Sequence, residues 1–317
     1  MNWLFVIDPL ETLHFETDST FAIMKEAIRQ SVHVFHCRTQ DLFYENKSAM
    51  CFVRPFCSPE EQTDDIPNVE AYQLDFFDLI FMRKDPPYDL TYHYATQLLS
   101  LTQSPVVNSP SALRSFNEKL IILPFPELIP ETIVTAQASQ IMSFLESHPD
   151  GIIIKSLDSY QGRSVEWIRD ASPASTEVIR KYAFDFSTPI MVQEFLPQVF
   201  EGDKRVLVLG GKAIGAVTRV PKQDSFLANF AQGGEGQLAE ITSRDEEIVG
   251  TISDFLVKNG MLFVGIDIIG GFMTEINITC PTGIVQIDNL NGVNLEREIV
   301  SYFVDDFPAT FVTRQEV

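Results

Sequence analysis

Two acids and an amide stand where apolar residues are expected. In the stretch Gly265-Ile-Asp-Ile-Ile-Gly-Gly-Phe-Met-Thr-Glu-Ile-Asn-Ile278, Asp267 lies inside one β-branched run, and Glu275 and Asn277 lie inside the next. A carboxylate in the middle of an apolar strand is costly unless it is paired or bound to a cation. Glu275 and Asn277 are alternate residues and so share one face of their strand. Whether Asp267 joins them depends on the turn at Gly270-Gly271. A two-residue loop pairs Asp267 with Thr274 and sends Glu275 to the other face, whereas a three-residue loop with a left-handed glycine sets Asp267 opposite Glu275. We expect the three-residue loop. Two carboxylates and an amide oxygen are hard ligands suited to Mg²⁺ (or Mn²⁺), an ion that keeps some waters and bridges phosphate oxygens. The competing reading is an ordinary hairpin whose Glu275 and Asn277 face solvent at a sheet edge.

Lys155 ends the apolar run Ile152-Ile153-Ile154, which places its charge at the edge of a buried strand. Such a lysine either meets a phosphate or snorkels to solvent, and Lys119 is open to the same two readings. Arg205 and Arg219 begin and end a second hairpin around Gly210-Gly211, and either face one cleft or decorate the surface. Gln193 and Glu194 interrupt the strand Ile190-Met-Val-Gln-Glu-Phe-Leu-Pro197, which is either a hinge whose backbone edge pairs with a purine or a plain strand end.

These few cations matter because the chain as a whole is acidic. Lys and Arg total 23 against 44 Asp and Glu, a formal charge of -21. Such a surface repels polyanions, which argues against nucleic acid and anionic membrane as partners. A phosphorylated ligand must then be met by positioned cations, backbone N–H groups or metal ions. Cys37, Cys51, Cys57 and Cys280 form no CxxC pair or metal-like cluster, so neither a zinc site nor a disulfide framework is expected, and the expected compartment is the reducing cytosol. The opening run Trp3-Leu-Phe-Val-Ile7 lacks a basic flank and is too short for a signal peptide or a membrane span.

That opening run reads instead as a first strand. A helix follows Asp18-Ser19-Thr20, then apolar runs at Val32 to Phe35 and Phe76 to Met82, a helical pattern from Tyr92 to Leu101, and Val106-Val107. This alternation predicts a mostly parallel, Rossmann-like sheet, without the GxGxxG of a dinucleotide site. Pro124, Pro126 and Pro130 mark a connector and a domain boundary. Beyond it strands come in close pairs, Arg205 to Leu209 with Ala213 to Val217 and Phe263 to Ile269 with Met273 to Ile278, each around a Gly-Gly turn. Between them Ser243-x-x-Glu246 reads as a capping box, opening a helix with Ile248, Ile252, Phe255 and Leu256 on one face.

Several blocks occur in a telling order: Ile7-Asp8-Pro9, Asp18-Ser19-Thr20, Met82-Arg-Lys-Asp-Pro-Pro-Tyr-Asp89, Val107-Asn108-Ser109-Pro110 and Asn117-Glu118-Lys119. They continue with Glu201-Gly-Asp-Lys-Arg205, Arg219-Val-Pro221, Phe263-Val-Gly-Ile-Asp267 and Thr274-Glu-Ile-Asn-Ile-Thr279 before Pro281-Thr282. Over nearly its whole length the chain therefore resembles bacterial glutathione synthetases of the ATP-grasp type, and its Ile287-Asp288 and Gly292-Val293 pattern is most similar to the cyanobacterial members. The resemblance implies an α/β plus α+β chain: a pre-ATP-grasp domain over residues 1–122 and an ATP-grasp domain over 123–317, itself divided into 123–190 and 191–317. It implies ATP held between two antiparallel sheets, with Lys119 and Lys155 on the phosphates, Gln193, Glu194, Phe195 and Leu196 at the adenine and Asp203 on the ribose. Asp267, Glu275 and Asn277 would hold magnesium. Arg219 and Arg205 would serve the phosphorylated intermediate, and Arg83, with both of them, the peptide substrate. The implied reaction phosphorylates the cysteinyl carboxylate of γ-glutamylcysteine and lets the amine of glycine displace phosphate. A symmetric homo-oligomer in the cytoplasm is implied as well.

The chain departs from the family pattern at defined places. The glycine-rich loop after the first-sheet lysine becomes Ser156-Leu-Asp-Ser-Tyr-Gln-Gly162, a bulkier phosphate cradle. The lid segments read Leu227-Ala228-Asn229 and Gly233-Gly234-Glu235, where the family carries arginines in place of Leu227 and Glu235. Val285 and Gln286 replace an Arg-Glu pair. These departures leave two other readings beside the working ligase: a nucleotide-binding homologue without catalysis, and a related ligase with a different acid or amine. The acidic stretch between Cys57 and Asn68 reads as a solvent loop.

Overall fold

The apolar runs of the first third do pair in parallel: β1 (Asn2–Val6) lies between β2 (His33–Cys37) and β6 (Leu79–Met82), and β7 (Val106–Val107) extends the sheet beyond β6. The computed structural model describes residues 1–56, 69–158, 165–223 and 225–306. The solvent loop expected between Cys57 and Asn68, and residues Ser159 to Gly162 of the phosphate cradle, lie outside the described residues. The helices α1 (Ser19–Arg29), α2 (Leu90–Leu99) and α3 (Pro110–Ser115) follow strands of this sheet. Asp18 caps α1 by accepting from the Phe21 N–H, and Asp89 caps α2 through the Tyr92 N–H, each satisfying an orphan donor of the first turn.

The expectation of a mostly parallel sheet needs one correction. β3 (Leu42–Glu45), β4 (Ser48–Phe56) and β5 (Glu70–Gln73) add an antiparallel flank through β4, giving seven strands in all. Asn46 and Lys47, both with left-handed φ, make the tight turn between β3 and β4, a short-range hairpin signal outside the strand–helix alternation.

After the proline connector a second sheet of four antiparallel strands forms from β8 (Thr132–Thr135), β9 (Ile152–Lys155), β10 (Val165–Ile168) and β11 (Ile190–Glu194). The change of sheet therefore falls after Glu194 rather than at 190/191. The helices α4 (Ala138–Ser147) and α5 (Pro173–Tyr182) supply Ile141, Phe144 and Ile179 to a core of its own beneath Ile154, Ile190 and Val192.

The third sheet has five strands, β12 (Asp203–Leu209), β13 (Lys212–Val220), β14 (Glu235–Leu238), β15 (Phe263–Ile269) and β16 (Phe272–Asn277), in the order β14-β13-β12-β15-β16. Its helix α6 (Ser243–Lys258) buries Ile248, Ile252 and Leu256. The capping box lies one residue earlier than expected, with Thr242 as the cap and Asp245 answering it, because the hydroxyl and carboxylate of that pair reach each other's backbone N–H. The last helices, α7 (Ile284–Asn291) and α8 (Leu295–Ser301), return to the first sheet. Trp3 and Phe5 of β1 share a core with Leu295, Ile299 and Phe303, while Leu4 and Val6 point into a core that continues to Ile252 and Val264. First and third sheets thus form one body through two shared cores.

Burial also constrains a titrating group in this body. His36 on β2 is 6% exposed, and burial, assisted by the Arg54 charge and opposed by Asp41, pushes its pKa down from 6.5 to about 4. The folded chain keeps the imidazole neutral where the unfolded chain binds a proton, so this contribution is full above pH 6.5 and is lost as pH falls toward 4. Urea unfolding across that window should show a decline of up to roughly 3 kcal/mol beyond that of His36→Gln, whose curve lacks this component.

Candidate active site

Both hairpins of the third sheet turn on two left-handed glycines, Gly210 and Gly211 at φ 56 and 82, Gly270 and Gly271 at φ 57 and 82. In each the ladder runs for two pairs and then slips by one residue. Ile269 faces Phe272 and Ile268 faces Met273, but Asp267 faces Glu275, so Thr274 is the extra residue of a bulge. The expected three-residue loop is therefore not formed. A two-residue turn plus the bulge brings Asp267 and Glu275 opposite each other by another route, because a bulge shifts register by the same single residue.

The consequence is a polar ledge along one face of the sheet. Asp203 and Arg205 are alternate residues of β12, Arg219 pairs with Asp203 on β13, and Asp267 pairs with Arg205 on β15. Asp267 is nearly buried and fully engaged: Arg205 donates from Nε at 2.6 Å and from Nη2 at 3.1 Å, and Arg219 Nη2 lies 2.8 Å from its Oδ1. Asn277 Nδ2 donates to its Oδ2 at 3.2 Å. Gly265, between these residues, has no side chain because the Arg205 guanidinium lies across it. A Cβ there would meet Arg205 Nη1 at 3.1 Å. Arg205 and Arg219 are 6% and 3% exposed, so neither is a surface charge.

Facing the ledge are the lysines. Lys119 Nζ lies 3.4 Å from Glu275 Oε1, and Lys155 Nζ donates to the carbonyl of the bulged Thr274 at 3.3 Å. Lys155 thus bridges the two antiparallel sheets rather than snorkelling to solvent. Burial pushes its ammonium down, against the raising effect of Glu275. Burial also pushes Asp203 up to about 6, with Arg219 opposing and Asp267 adding to the rise. On Asp267 burial acts upward too, but the two guanidiniums outweigh it and hold the carboxyl well below the usual range.

Between the sheets runs a cleft lined at one end by Lys119, Lys155, Asp203, Asp267 and Glu275. Its other end is apolar, with Ile153, Val165, Phe195, Leu196 and Val199. There Trp167 stacks on Phe195 at 3.8 Å with the Arg169 guanidinium 3.8 Å from the indole, fixing the strand end Gln193, Glu194, Phe195 and Leu196. Gln193 is turned inward to Thr132, and Glu194 accepts from the Glu131 N–H. Phe226, Leu227, Ala228 and Asn229 line the same cleft, so the expected lid segment lies beside it, whereas Glu235 is exposed on β14.

The predicted residues do not all meet. Arg83 lies outside the cleft, at the seam of the first and third sheets, where it donates to Thr20 Oγ1 and to the Pro281 carbonyl. It meets the ledge strands through the Phe263 ring of β15, 5.6 Å from its guanidinium, and through the 281–282 loop, whose Thr282 carbonyl accepts from Arg205. Val285 and Gln286 begin α7 at the same seam, Gln286 reaching the Thr17 carbonyl. Sequence reasoning missed Gly265 and Asn108. A glycine inside the run Phe263–Ile269 is itself a signal of close approach, and Asn108 donates to the carbonyls of Phe263 and Ile278, fixing both ledge strands to the first sheet.

The donor chemistry fits a divalent cation. Asn277 uses its Nδ2 on Asp267 and Gly265, so its amide oxygen, with Glu275 and Asp267, gives an oxygen-only set on one face. Among the described residues no group of three His, Cys, Asp or Glu is placed to hold a metal ion. Asp203 Oδ1 and Arg219 Nε are buried without a hydrogen-bond partner, as groups awaiting a polar ligand are.

Comparison with known proteins adds a family. Residues 118–292 match the family described as prokaryotic glutathione synthetase, ATP-grasp domain, and residues 1–114 match its N-terminal domain. The chain is 39% identical over 315 residues to the glutathione synthetase of Gloeobacter violaceus, covering 96% of this chain and 97% of that protein. It is 36% identical over 304 residues to that of Prochlorococcus marinus, covering 95% and 98%. Among solved structures, a RiPP-associated ATP-grasp ligase of Chryseobacterium gregarium in complex with ADP and a leader and core peptide superposes with a TM-score of 0.64 at 13% identity, covering 96% and 97% of the two chains. The macrocyclase MdnC of Microcystis aeruginosa gives 0.65 at 14%, covering 96% and 100%. At such identity these two bear on the fold alone.

The ledge also predicts a stability. Asp267→Ala leaves buried Arg219 with Asp203 and buried Arg205 with the Thr282 carbonyl but no carboxylate bonded to it, and breaking a buried pair in this way costs about 3–5 kcal/mol. Urea denaturation checks it. A loss below about 1 kcal/mol, the range of an exposed pair, would contradict the buried geometry.

Proposed function

The chain belongs to the prokaryotic glutathione synthetase family, and from that premise we propose that its cleft carries out ATP-dependent joining of the γ-glutamylcysteine carboxylate to the amine of glycine. The observation that supports it best is the convergence of Lys119, Lys155 and the Asp267–Glu275 pair at one end of a cleft whose other end is apolar. Four cations, Lys119, Lys155, Arg205 and Arg219, stand with four carboxylates, Glu194, Asp203, Asp267 and Glu275. This local balance of charge, in a chain of net charge -21, leaves positioned lysines to meet polyphosphate.

In this reading the base rests against Phe195 and Leu196 with the backbone of Gln193 and Glu194 at its edge. Asp203 offers its unpartnered oxygen to a ribose hydroxyl, and Lys119 and Lys155 leave Glu275 and Thr274 for phosphate oxygens. A divalent ion held by the oxygens of Asp267, Glu275 and Asn277 would neutralise phosphate charge. Arg219 and Arg205 are paired to Asp267, and as that pairing loosens around an ion they would meet charge developing on the transferred phosphoryl group and the acyl phosphate. The lid residues 226–229 exclude water from that intermediate. Arg83 acts on the peptide from the seam. The first domain is read as 1–122 and the ATP-grasp domain as 123–317, with both contributing to the seam and Lys119 of the first reaching the cleft, and no described helix is long and apolar enough to cross a membrane.

The lid itself favours keeping a second reading. Leu227 lines the cleft and Glu235 faces outward, so the described lid presents no cation to it. Incubation with ATP, Mg²⁺, γ-glutamylcysteine and glycine, read as ADP and product mass, separates the cases. ADP with glutathione is the expected result, and Arg219→Ala should lower kcat/KM by on the order of 10²-fold. ADP only with another acid or amine would move the substrate. Nucleotide binding with no turnover on any pair would contradict the ligase.

A further inference from the structure

β16 is an edge strand, bonded to β15 on one side alone. Its outward N–H groups, on alternate residues, would be left to solvent beside the residues that need fixed positions. The Ile276 N–H and the two amides just past the end of the strand are taken instead by one residue. The Glu118 carbonyl accepts from the Ile276 N–H at 3.1 Å. Its side chain Oε1 accepts from the Ile278 N–H at 2.7 Å, and from the N–H and hydroxyl of Thr279 at 2.9 Å each. Asn277 lies between the two anchored amides and Glu275 directly before them. The neighbours of Glu118 are tied to the same place: Lys119 reaches Glu275, and Asn117 donates to the Leu157 carbonyl at 2.7 Å, just past Lys155.

We propose that Glu118 is a positioning residue that acts through β16: it replaces the missing neighbouring strand and so sets the spacing of Glu275 and Asn277 from Lys119. This role rests on the reading of the cleft as a site for ATP and a divalent ion. A three-residue segment, Asn117 to Lys119, thereby gauges the distance between the ledge and the exit of β9, and a cation added to the ledge meets ligands held from both sides. Outer partners that orient metal ligands are typically worth about 10–100-fold in metal affinity.

The test uses the full chain with ADP and Mn²⁺ as probes, read by calorimetry, together with kcat and KM for ATP. Glu118→Ala should weaken Mn²⁺-dependent ADP binding and raise the metal concentration for half-maximal activity by about 10-fold or more, while ADP binding in EDTA stays within about 3-fold. Glu118→Gln, which keeps the accepting oxygen, should restore most of the metal affinity. Thr279→Val removes only the hydroxyl donor and should give a smaller shift in the same direction, and it decides the matter if Glu118→Ala does not fold. Folded variants with wild-type metal dependence, or a loss of ADP affinity that is equal with and without Mn²⁺, would overturn the positioning role. A wild-type chain that binds no ADP with Mn²⁺ would overturn the functional reading instead.

Discussion

A carboxylate buried between two guanidiniums governs the candidate active-site face. Asp267 has 2% of its surface exposed, and each of its oxygens accepts from more than one donor. Taking such a charge out of water is favourable only where geometry is close and every partner is satisfied. Arg205 can lie flat toward it because Gly265 has no side chain, and Arg219 can reach it because Asp203 holds the other side of the same guanidinium nitrogen. The strands can therefore slide little against each other without leaving a charge unpaired in the interior.

This constraint explains why turn and bulge must agree. A two-residue turn alone would place Asp267 opposite Thr274 and send Glu275 to the far face. The bulge at Thr274 corrects the register and also turns the Thr274 carbonyl toward Lys155. One irregularity thus aligns two carboxylates and contacts the opposite sheet. The rest of the chain holds the ledge in place: Asn108 grips both ledge strands, and Ser19 accepts from the Gly283 and Ile284 N–H groups after them. One face of the sheet of β8 to β11 has a core of its own, while Met191 of β11 and Val134 of β8 pack into the core shared with the first and third sheets.

Much of this was legible in the residues. Polar groups at alternate positions of apolar runs marked Asp267, Glu275 and Asn277, and paired glycines marked both hairpins, because those signals are local. Register was not local. The bulge follows the Gly-Gly turn in both hairpins and no residue type marks it, so the expected turn length differs from the structure although the pairing of Asp267 with Glu275 agrees. The antiparallel flank of the first sheet was not legible because β3 and β5 are four residues each and the nine-residue β4 mixes polar residues and a proline among its apolar ones. Arg83 could be named from its motif, but its place at the seam, away from the cleft, follows from how α1 and the 281–282 loop pack. Glu118 looked like one letter of a motif, and only the edge position of β16 shows what its carboxylate holds.

The account turns on whether the ledge and the lysines form one nucleotide-dependent cation site. The direct measurement is the water-proton relaxation rate of a Mn²⁺·ADP solution titrated with the protein. Wild-type chain should enhance the rate well beyond that of Mn²⁺ with protein alone, and Glu275→Ala should largely abolish the enhancement while remaining folded. Enhancement that is equal without ADP, or that Glu275→Ala retains in full, would contradict the account.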